Sequence, residues 1–214
     1  MNVSTIGVHK DGLPEGFVYI DELIEDCVVD AKYWGTDNFI GRGVDGYETP
    51  LVVMTHEAAE ACVRAADILR KRGYWIKFYD AYRPQKAVDD FVRWVADVDD
   101  LRRKPIHYPH VNKKDFIVLG YVAERSGHTR GSAVDLTLVD METCQELDMG
   151  SIFDFMDPRS HIVALGLADY QEANRALLRD AMMVSGFEVY PYEWWHFFLR
   201  HEPYPETYFD FPVR

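Results

Sequence analysis

The stretch SGHTRGSAVDLTL, at residues 126–138, decides both the fold of this chain and its chemistry. Its second half, within GSAVDLTLV at 131–139, is apolar and β-branched and predicts a strand. Asp135 interrupts that apolar run, where an unpaired carboxylate would be costly to bury. Gly131 lets the chain turn closely before the strand, so that His128 in the turn and Asp135 on the strand can meet at one point.

A second histidine, His196, ends the motif EWWH at 193–196. Two imidazoles and one carboxylate, with the fourth position open, form the donor set of a catalytic zinc site. The pattern therefore predicts one zinc ion per chain, bound by His128, Asp135 and His196. Taken singly, His128 is more often a loop histidine and Asp135 a cap or a surface charge, but the set as a whole favours a metal centre.

Glu193 lies three residues before His196, and a regular strand would place the two side chains on opposite faces. Both reach one site if the strand begins, bends or bulges near Glu193, and the preceding Pro191 favours a strand start there. Next to the metal, Glu193 would take a proton from the attacking water and deliver it to the leaving amine. The alternative is an exposed glutamate on an edge strand, which the neighbouring aromatic residues disfavour.

Arg83 is followed by Pro84, which pushes it into an extended conformation where a strand gives way to a helix. Asp80, three residues earlier, can pair with Arg83 and fix its guanidinium group. An arginine held in this way stabilises an oxyanion or binds a substrate carboxylate. A surface Arg–Asp pair explains the same residues equally well, so both interpretations stay open at this point.

The remaining sequence predicts a single α+β domain over residues 1–214, with a central, mainly antiparallel sheet flanked by helices. Three helices are predicted, over 55–72 with Thr55 as N-cap candidate, 84–98 and 171–185. Strands are predicted over 74–82, 131–139, 187–190 and 193–200, with a turn into a further partner strand at DMETCQEL, 140–147. The other segments are read as strand or mixed structure at 17–30, a long ordered loop at 31–50 and a surface excursion at 99–120.

The net charge indicates the class of partner, and the cysteine content and the N-terminal segment indicate the cellular compartment. The formal net charge of −13 disfavours nucleic acid, which requires a basic face, and a small molecule is expected instead. Three widely spaced cysteines form no CxxC pair and fit a reducing cytosol. MNVSTIGVHKDGLPEGF, at the start of the chain, has no signal-peptide core, and no stretch approaches a membrane span. A cytoplasmic protein with no membrane contact is expected, and whether it forms a homo-oligomer is open.

Motifs along nearly the whole chain resemble the VanX-type D-alanyl-D-alanine dipeptidases, zinc D,D-dipeptidases of peptidase family M15. Besides the motif at 126–138, the resemblance is carried by YWGTDNFIGRGVDGYE (33–48), YDAYRPQKAV (79–88), FDFMDPRSH (153–161), SGFEVYPYEWWHFFLR (185–200) and EPYPETYFDFPV (202–213). The skeleton SxHxxGxAxD with ExxH is shared with the wider group of zinc D,D-carboxypeptidases and the hedgehog-like fold.

The resemblance implies zinc-dependent hydrolysis of the D-Ala-D-Ala dipeptide, with the three predicted ligands on the metal. It implies Glu193 as the base and Arg83 as the group that stabilises the transition state. It further implies that Ser126 helps to hold the substrate carboxylate and that Asp154 meets the free amino group. For Asp154 the alternative is a turn cap or an ion pair with Arg159.

Two features depart from the family. Gly127 stands between serine and histidine where relatives have serine, and segment 99–118, with His107 and His110, matches less closely. Both histidines are expected on the surface, outside the site. The rival enzyme is a D,D-carboxypeptidase acting on longer peptidoglycan stem peptides, and the rival from another class is a binding domain that has lost its base, which Glu193 argues against. Whether the activity serves glycopeptide resistance or dipeptide recycling is not encoded in the sequence.

Overall fold

The computed structural model describes residues 12–214. Residues 1–11, which include most of the segment considered above for a signal peptide, lie outside the described residues. The described strands are β1 (Phe17–Tyr19), β2 (Val28–Val29), β3 (Val53–Thr55), β4 (Tyr74–Asp80), β5 (Ala133–Asp140), β6 (Phe187–Val189) and β7 (His196–Leu199). The described helices are α1 (His56–Arg70), α2 (Gln85–Ala96), α3 (Lys104–His107) and α4 (Asp169–Val184).

The central sheet has the strand order β2-β4-β5-β7-β6, and β1 pairs with β3 in a separate two-stranded sheet. Every neighbouring pair in the central sheet is antiparallel except β2 and β4. Helix α1 packs against β4 and α4. The predicted fold class, α+β with a mainly antiparallel sheet and flanking helices, is confirmed, while the single domain over 1–214 stays a prediction. None of the helices within 12–214 has the length and apolar character that a membrane span requires.

An irregularity in β4 decides which face of the sheet carries polar groups. Phe78 pairs with Leu136, but the next pair joins Asp80 to Asp135, so one extra residue of β4 is accommodated between them. Side chains alternate along a strand, and an inserted residue reverses the face of those that follow. Asp80 is therefore brought to the face of Asp135. His196 is the partner of Asp135 on the other side, in β7, so three polar residues form a row across three neighbouring strands.

The turn before β5 also has its own local geometry. Ser126 accepts a hydrogen bond from the backbone N–H of His128 at 3.2 Å and caps a 3₁₀ turn over Gly127–Arg130. Gly131 ends that turn with φ +84°, in the left-handed region that glycine occupies readily. A Cβ at this position would lie 2.4 Å from Cε1 of Phe17. Both the backbone angle and the close packing therefore require glycine at 131.

The C-terminal tail holds this turn from outside. Arg130 donates two hydrogen bonds to the carboxylate of Glu202, both at 2.8 Å. Further along, the backbone N–H of Phe209 donates to the carbonyl of Thr129 at 3.0 Å. The tail motif at 202–213 thus fixes the turn that leads into β5.

The prediction of a surface excursion at 99–120 is wrong for its aromatic residues. Tyr108 and Phe116 have no exposed surface, and their rings meet edge to face with centroids 5.1 Å apart. Both also contact Trp94 of α2, and the ammonium of Lys113 lies 3.8 Å from the Trp94 ring centre. Polar and basic residues dominate the composition of the segment, but burial of a few large rings determines its position.

Two smaller predictions also need correction. Thr55 occupies the N-cap position of α1 but caps no backbone N–H; its hydroxyl instead forms a 2.8 Å hydrogen bond with that of Ser132. The segment 140–147 makes a turn and a single β-bridge, Val139 with Glu146, rather than the start of a full partner strand. At Thr55 a tertiary contact, the hydrogen bond to Ser132, has replaced the local pattern read from the sequence.

Substitution Gly131→Ala tests the packing of the turn. Left-handed backbone strain of about 1–2 kcal/mol adds to overpacking against Phe17 of about 1–3 kcal/mol. Gly166→Ala is the matched control, because Gly166 has φ +76° but open space where the Cβ would be. Urea unfolding with a chelator present should show a clearly larger loss of unfolding free energy for G131A than for G166A. Equal losses would mean that only the backbone angle matters.

Candidate metal centre and active site

The three predicted metal ligands converge in the structure. Nδ1 of His196 lies 2.9 Å from Oδ1 of Asp135, and Nε2 of His128 lies 3.3 Å from Oδ2. The two imidazole nitrogens are 3.0 Å apart, and one ligand atom from each residue falls within 4.8 Å of the others. Burial alone would raise the pKa of Asp135, but the two imidazoles outweigh it and lower that pKa.

The ring of His128 is oriented by the backbone behind it. Its Nδ1 lies 2.6 Å from the carbonyl oxygen of Ala81, which can only accept a hydrogen bond. The proton is therefore on Nδ1, and the lone pair of Nε2 points towards Asp135 and His196. A second hydrogen bond of this kind, which fixes the tautomer and the ring orientation, is typical of metal-binding histidines.

The donor set and its spacing fit a tetrahedral metal ion. Zinc–nitrogen and zinc–oxygen bonds of about 2.0–2.2 Å give distances of roughly 3.3 Å between ligand atoms in a tetrahedron. The two histidine nitrogens are 3.0 Å apart, and the contacts to Asp135, 2.9 Å to Oδ1 and 3.3 Å to Oδ2, are comparable with that value, while one ligand atom from each residue falls within 4.8 Å of the others. Three protein ligands leave one position for water or substrate, as in catalytic rather than structural zinc sites.

Arg83 is fixed from several sides. Its Nε donates to Oδ2 of Asp80 at 3.0 Å, and its Nη2 lies 2.9 Å from the same oxygen and 3.5 Å from Oδ2 of Asp135. The guanidinium carbon lies 5.0 and 5.1 Å from the ring centres of Tyr33 and Phe91. The surface ion pair considered as an alternative is excluded, because the Asp80 side chain is 2% exposed and that of Arg83 only 12%.

Glu193 precedes β7 rather than belonging to it. It lies in the turn before the strand, which starts at His196, and its Oε2 is 3.9 Å from Nδ1 of His196. This resolves the three-residue spacing, since the alternation of a regular strand does not apply to Glu193. Burial raises the pKa of Glu193 to about 7. A carboxyl group with such a pKa can both take up and release a proton near neutral pH.

Asp154 is buried and held in an unusual conformation. Its φ is +55°, a left-handed value that is uncommon outside glycine, and it is 7% exposed. The hydroxyl of Tyr33 donates to its carboxylate at 3.0 Å. Burial and the nearby carboxylates of Asp135 and Glu193 raise the pKa of Asp154 well above its usual range. The pairing with Arg159 considered above is not found, as the Arg159 Nε donates to the carbonyl of Gly150.

One cavity of about 250 Å³ connects these groups. Its lining includes all seven residues predicted for metal, catalysis and substrate: Arg83, Ser126, His128, Asp135, Asp154, Glu193 and His196. Asp80 lies behind Arg83, in the position expected for a residue that orients it. The volume is slightly below the roughly 300–1,000 Å³ of typical ligand pockets, so the cavity fits a small substrate.

Comparison with known proteins gives the family. Residues 14–214 match the Peptidase M15 family described as D-ala-D-ala dipeptidase. The chain belongs to this family. It is 46% identical to a D-alanyl-D-alanine dipeptidase of Enterococcus faecium over 199 residues, covering 93% of this chain and 98% of that protein. Two further proteins of that name, from Enterococcus faecalis and Streptomyces coelicolor, are each 44% identical, over 94% and 92% of this chain and 100% and 98% of their own lengths.

Family membership makes this chain a metallopeptidase. The predicted resemblance is confirmed by both the family match and the relatives. The His128–Asp135–His196 group supplies a candidate metal site in this M15 peptidase, and its roles are taken up under the proposal below.

Two residues that contact the predicted site residues were not identified from the sequence. Tyr33 contacts both Asp154 and Arg83, and its only signal was its place in the aromatic motif at 33–48. His107, expected on the surface, is 4% exposed and lies 3.1 Å from the carbonyl oxygen of Asp154. His110 is exposed, as expected.

Substitution Arg83→Lys tests the arginine geometry. The ammonium group of lysine cannot reproduce the planar guanidinium group, whose several donors reach both Asp80 and the cavity. Losing one hydrogen bond to a charged group costs about 1.5–3 kcal/mol, so kcat/KM should fall roughly ten- to a hundredfold in a peptidase assay. Arg93→Lys on α2 is the control, because Arg93 pairs with acids at an exposed position. Activity of R83K equal to that of R93K would show that only the charge of Arg83 is needed.

Proposed function

We propose that this chain is a zinc-dependent D-alanyl-D-alanine dipeptidase. The observation that carries the proposal is the shared cavity, in which a candidate metal centre faces a buried carboxylate, that of Asp154, on the substrate side. A peptidase acting within long chains would leave such a carboxylate without a cationic partner. The free ammonium of a dipeptide supplies that partner. The name shared by the relatives supports the same substrate.

The proposed ligands of the metal are His128, Asp135 and His196. A zinc ion held by these residues would supply Lewis acidity and would lower the pKa of a bound water. The protein orients this centre through the hydrogen bond from His128 to the carbonyl of Ala81.

Glu193 is proposed as the group that moves protons. Its carboxylate lies beside His196 in the cavity wall, where it would meet both an attacking water and the amide nitrogen of a bound substrate. It takes the proton of the water at Oε and returns it to the departing amine. The pKa near 7 that burial produces makes both transfers accessible at neutral pH.

Arg83 is proposed to stabilise negative charge on the substrate carbonyl oxygen. Asp80 and the rings of Tyr33 and Phe91 hold its guanidinium before substrate arrives. A preorganised donor needs no rearrangement as the charge develops, which is the main source of its effect. Its contact with Asp135 supports this role beside the proposed metal ligands.

The two ends of the substrate are proposed to bind at Asp154 and Ser126. Asp154 receives the ammonium, and the charge interaction favours the ionised carboxylate in the complex although burial opposes it. The Ser126 hydroxyl accepts a backbone hydrogen bond and keeps its own proton for the substrate carboxylate. With both ends bound, the substrate length is limited to two residues.

In the cell this activity would deplete or recycle a dipeptide precursor of peptidoglycan. We propose a cytoplasmic location, supported by the buried thiol of Cys62 and the exposed thiol of Cys144, neither of which forms a disulfide.

An amine-release assay tests the proposal. D-Ala-D-Ala should be hydrolysed, L-Ala-L-Ala should not, and a chelator should abolish activity that zinc restores. N-acetyl-D-Ala-D-Ala should be a poor substrate, by roughly five- to 150-fold in kcat/KM, since it leaves buried Asp154 unpaired at a cost of about 1–3 kcal/mol. Efficient cleavage of the acetylated dipeptide or of a stem pentapeptide would favour a D,D-carboxypeptidase. Activity that persists in the presence of the chelator would refute the proposed dependence on a metal ion.

Substitution Glu193→Gln tests the proton-transfer role separately from metal binding. Turnover should fall at least about a hundredfold, while elemental analysis should still find about one zinc per chain. Glu188→Gln is the control, because Glu188 lies on neighbouring β6 and pairs with Arg200 at the surface. Near-normal turnover of E193Q would assign the base to another residue, and loss of zinc from E193Q would show that Glu193 supports the metal instead.

A further inference from the structure

The backbone of Asp154 needs support from outside the cavity. A non-glycine residue in the left-handed region carries strain and persists only where its surroundings hold it. Tyr33 fixes the carboxylate, but it makes no backbone contact that would hold φ at +55°. The groups that bond to the Asp154 backbone therefore determine where its carboxylate points.

His107 provides that support from two of its atoms. Its Nδ1 lies 3.1 Å from the carbonyl oxygen of Asp154, and its own carbonyl oxygen accepts the backbone N–H of Met156 at 2.8 Å. It thus holds the loop on both sides of Phe155. His107 is absent from the residues that line the active-site cavity and lies against the back of the loop, in a neighbouring cavity.

The protonation of His107 is fixed by its two partners. Nη2 of Arg103 lies 3.0 Å from Nε2 of His107, and a guanidinium can only donate. Nε2 is therefore the acceptor, and the ring proton is on Nδ1, where it is donated to the Asp154 carbonyl. Burial lowers the pKa of His107 to about 4, so the ring is neutral at neutral pH.

Arg103 is itself anchored. Its Nη2 donates to Asp37 at 3.0 Å and its Nε to the carbonyl of Asn38 at 2.9 Å. A continuous chain of directed hydrogen bonds thus runs from the loop at 37–38, through Arg103 and His107, to Asp154. In each of these hydrogen bonds one partner can act only as a donor or only as an acceptor, so the direction of the bond is fixed.

We propose that His107 is a positioning residue that sets the selectivity of the enzyme for a free amino group, acting through Asp154. The inference rests on the proposed role of Asp154 in binding the substrate ammonium. Because His107 touches neither the cavity nor the metal ligands, its effect should fall on recognition of the amino end and spare the proton-transfer step.

A pair of substitutions separates positioning from bulk. An asparagine amide places a donor close to the position of Nδ1, whereas a glutamine amide reaches the position of Nε2. His107→Asn should therefore keep the hydrogen bond to Asp154, and His107→Gln should lose it. His110→Gln is the matched control, because His110 is an exposed histidine in the same segment.

The measurement is a selectivity ratio, kcat/KM for D-Ala-D-Ala divided by kcat/KM for propionyl-D-alanine. Propionyl-D-alanine is the analogue with hydrogen in place of the amino group. H107Q should lower the ratio at least roughly fivefold, chiefly through a higher KM for D-Ala-D-Ala. H107N should stay within about twofold of the unmodified enzyme, as should H110Q. Asp154→Asn gives the ratio expected when amino recognition is lost.

Equal losses on both substrates, or an unchanged ratio in H107Q, would overturn the inference. A failure of the unmodified enzyme to cleave D-Ala-D-Ala would instead refute the proposed function, and the selectivity role with it. ¹⁵N NMR of His107 in the unmodified protein tests independently whether His107 donates a hydrogen bond to the Asp154 loop. This measurement does not require H107Q to fold. The ring proton is expected on Nδ1, and a proton on Nε2 would refute the hydrogen bond to Asp154.

Discussion

The buried carboxylate of Asp135 is the constraint on which the rest of the structure depends. It lies in the middle strand of the sheet with 2% of its surface exposed, and an ionised group there without partners would cost several kcal/mol. Its partners arrive from three directions: His196 across the sheet, His128 from the preceding turn and Arg83 from the end of β4. Two of these approaches depend on a local feature: the irregularity in β4 for Arg83 and its partner Asp80, and the glycine at 131 for His128. The motif SGHTRGSAVDLTL is thus a solution to the burial of one charge.

The cavity contains three carboxyl groups whose surroundings make them chemically different. Neighbouring imidazoles lower the pKa of Asp135, whereas burial raises that of Glu193 to about 7 and that of Asp154 well above its usual range. One group is thereby suited to hold a cation permanently, one to exchange a proton, and one to become ionised when a cation arrives. Environments that separate the pKa values of like groups are how one site distributes distinct roles. The proposed mechanism uses these differences directly.

Proximity can be read from spacing alone only in the parts of the site whose geometry is local. His128 and Asp135 share one turn and strand, and Arg83 and Asp80 are three residues apart, so their proximity is readable from spacing. Tyr33 and His107 are 121 and 47 residues from Asp154, and no periodicity connects such distant positions. The fold class followed from the order of helices and strands. The burial of segment 99–120 did not, because it depends on rings of that segment meeting Trp94 of α2.

Segment 99–120 shows why the candidate metal ligands and the residues that hold the Asp154 loop lie in different parts of the fold. A metal centre tolerates little displacement, so its ligands lie on adjacent strands and a capped turn, where backbone hydrogen bonds fix them to one another. The proposed recognition of an amino group requires only that one carboxylate be aimed correctly, and the loop carrying Asp154 is held from behind by a segment with no part in the candidate metal site. Packing of Tyr108 and Phe116 anchors this segment in the core, so that the adjacent His107 can transmit its position to the loop. The proposed selectivity at the amino end can therefore change through residues outside the motifs while the proposed hydrolytic centre stays intact.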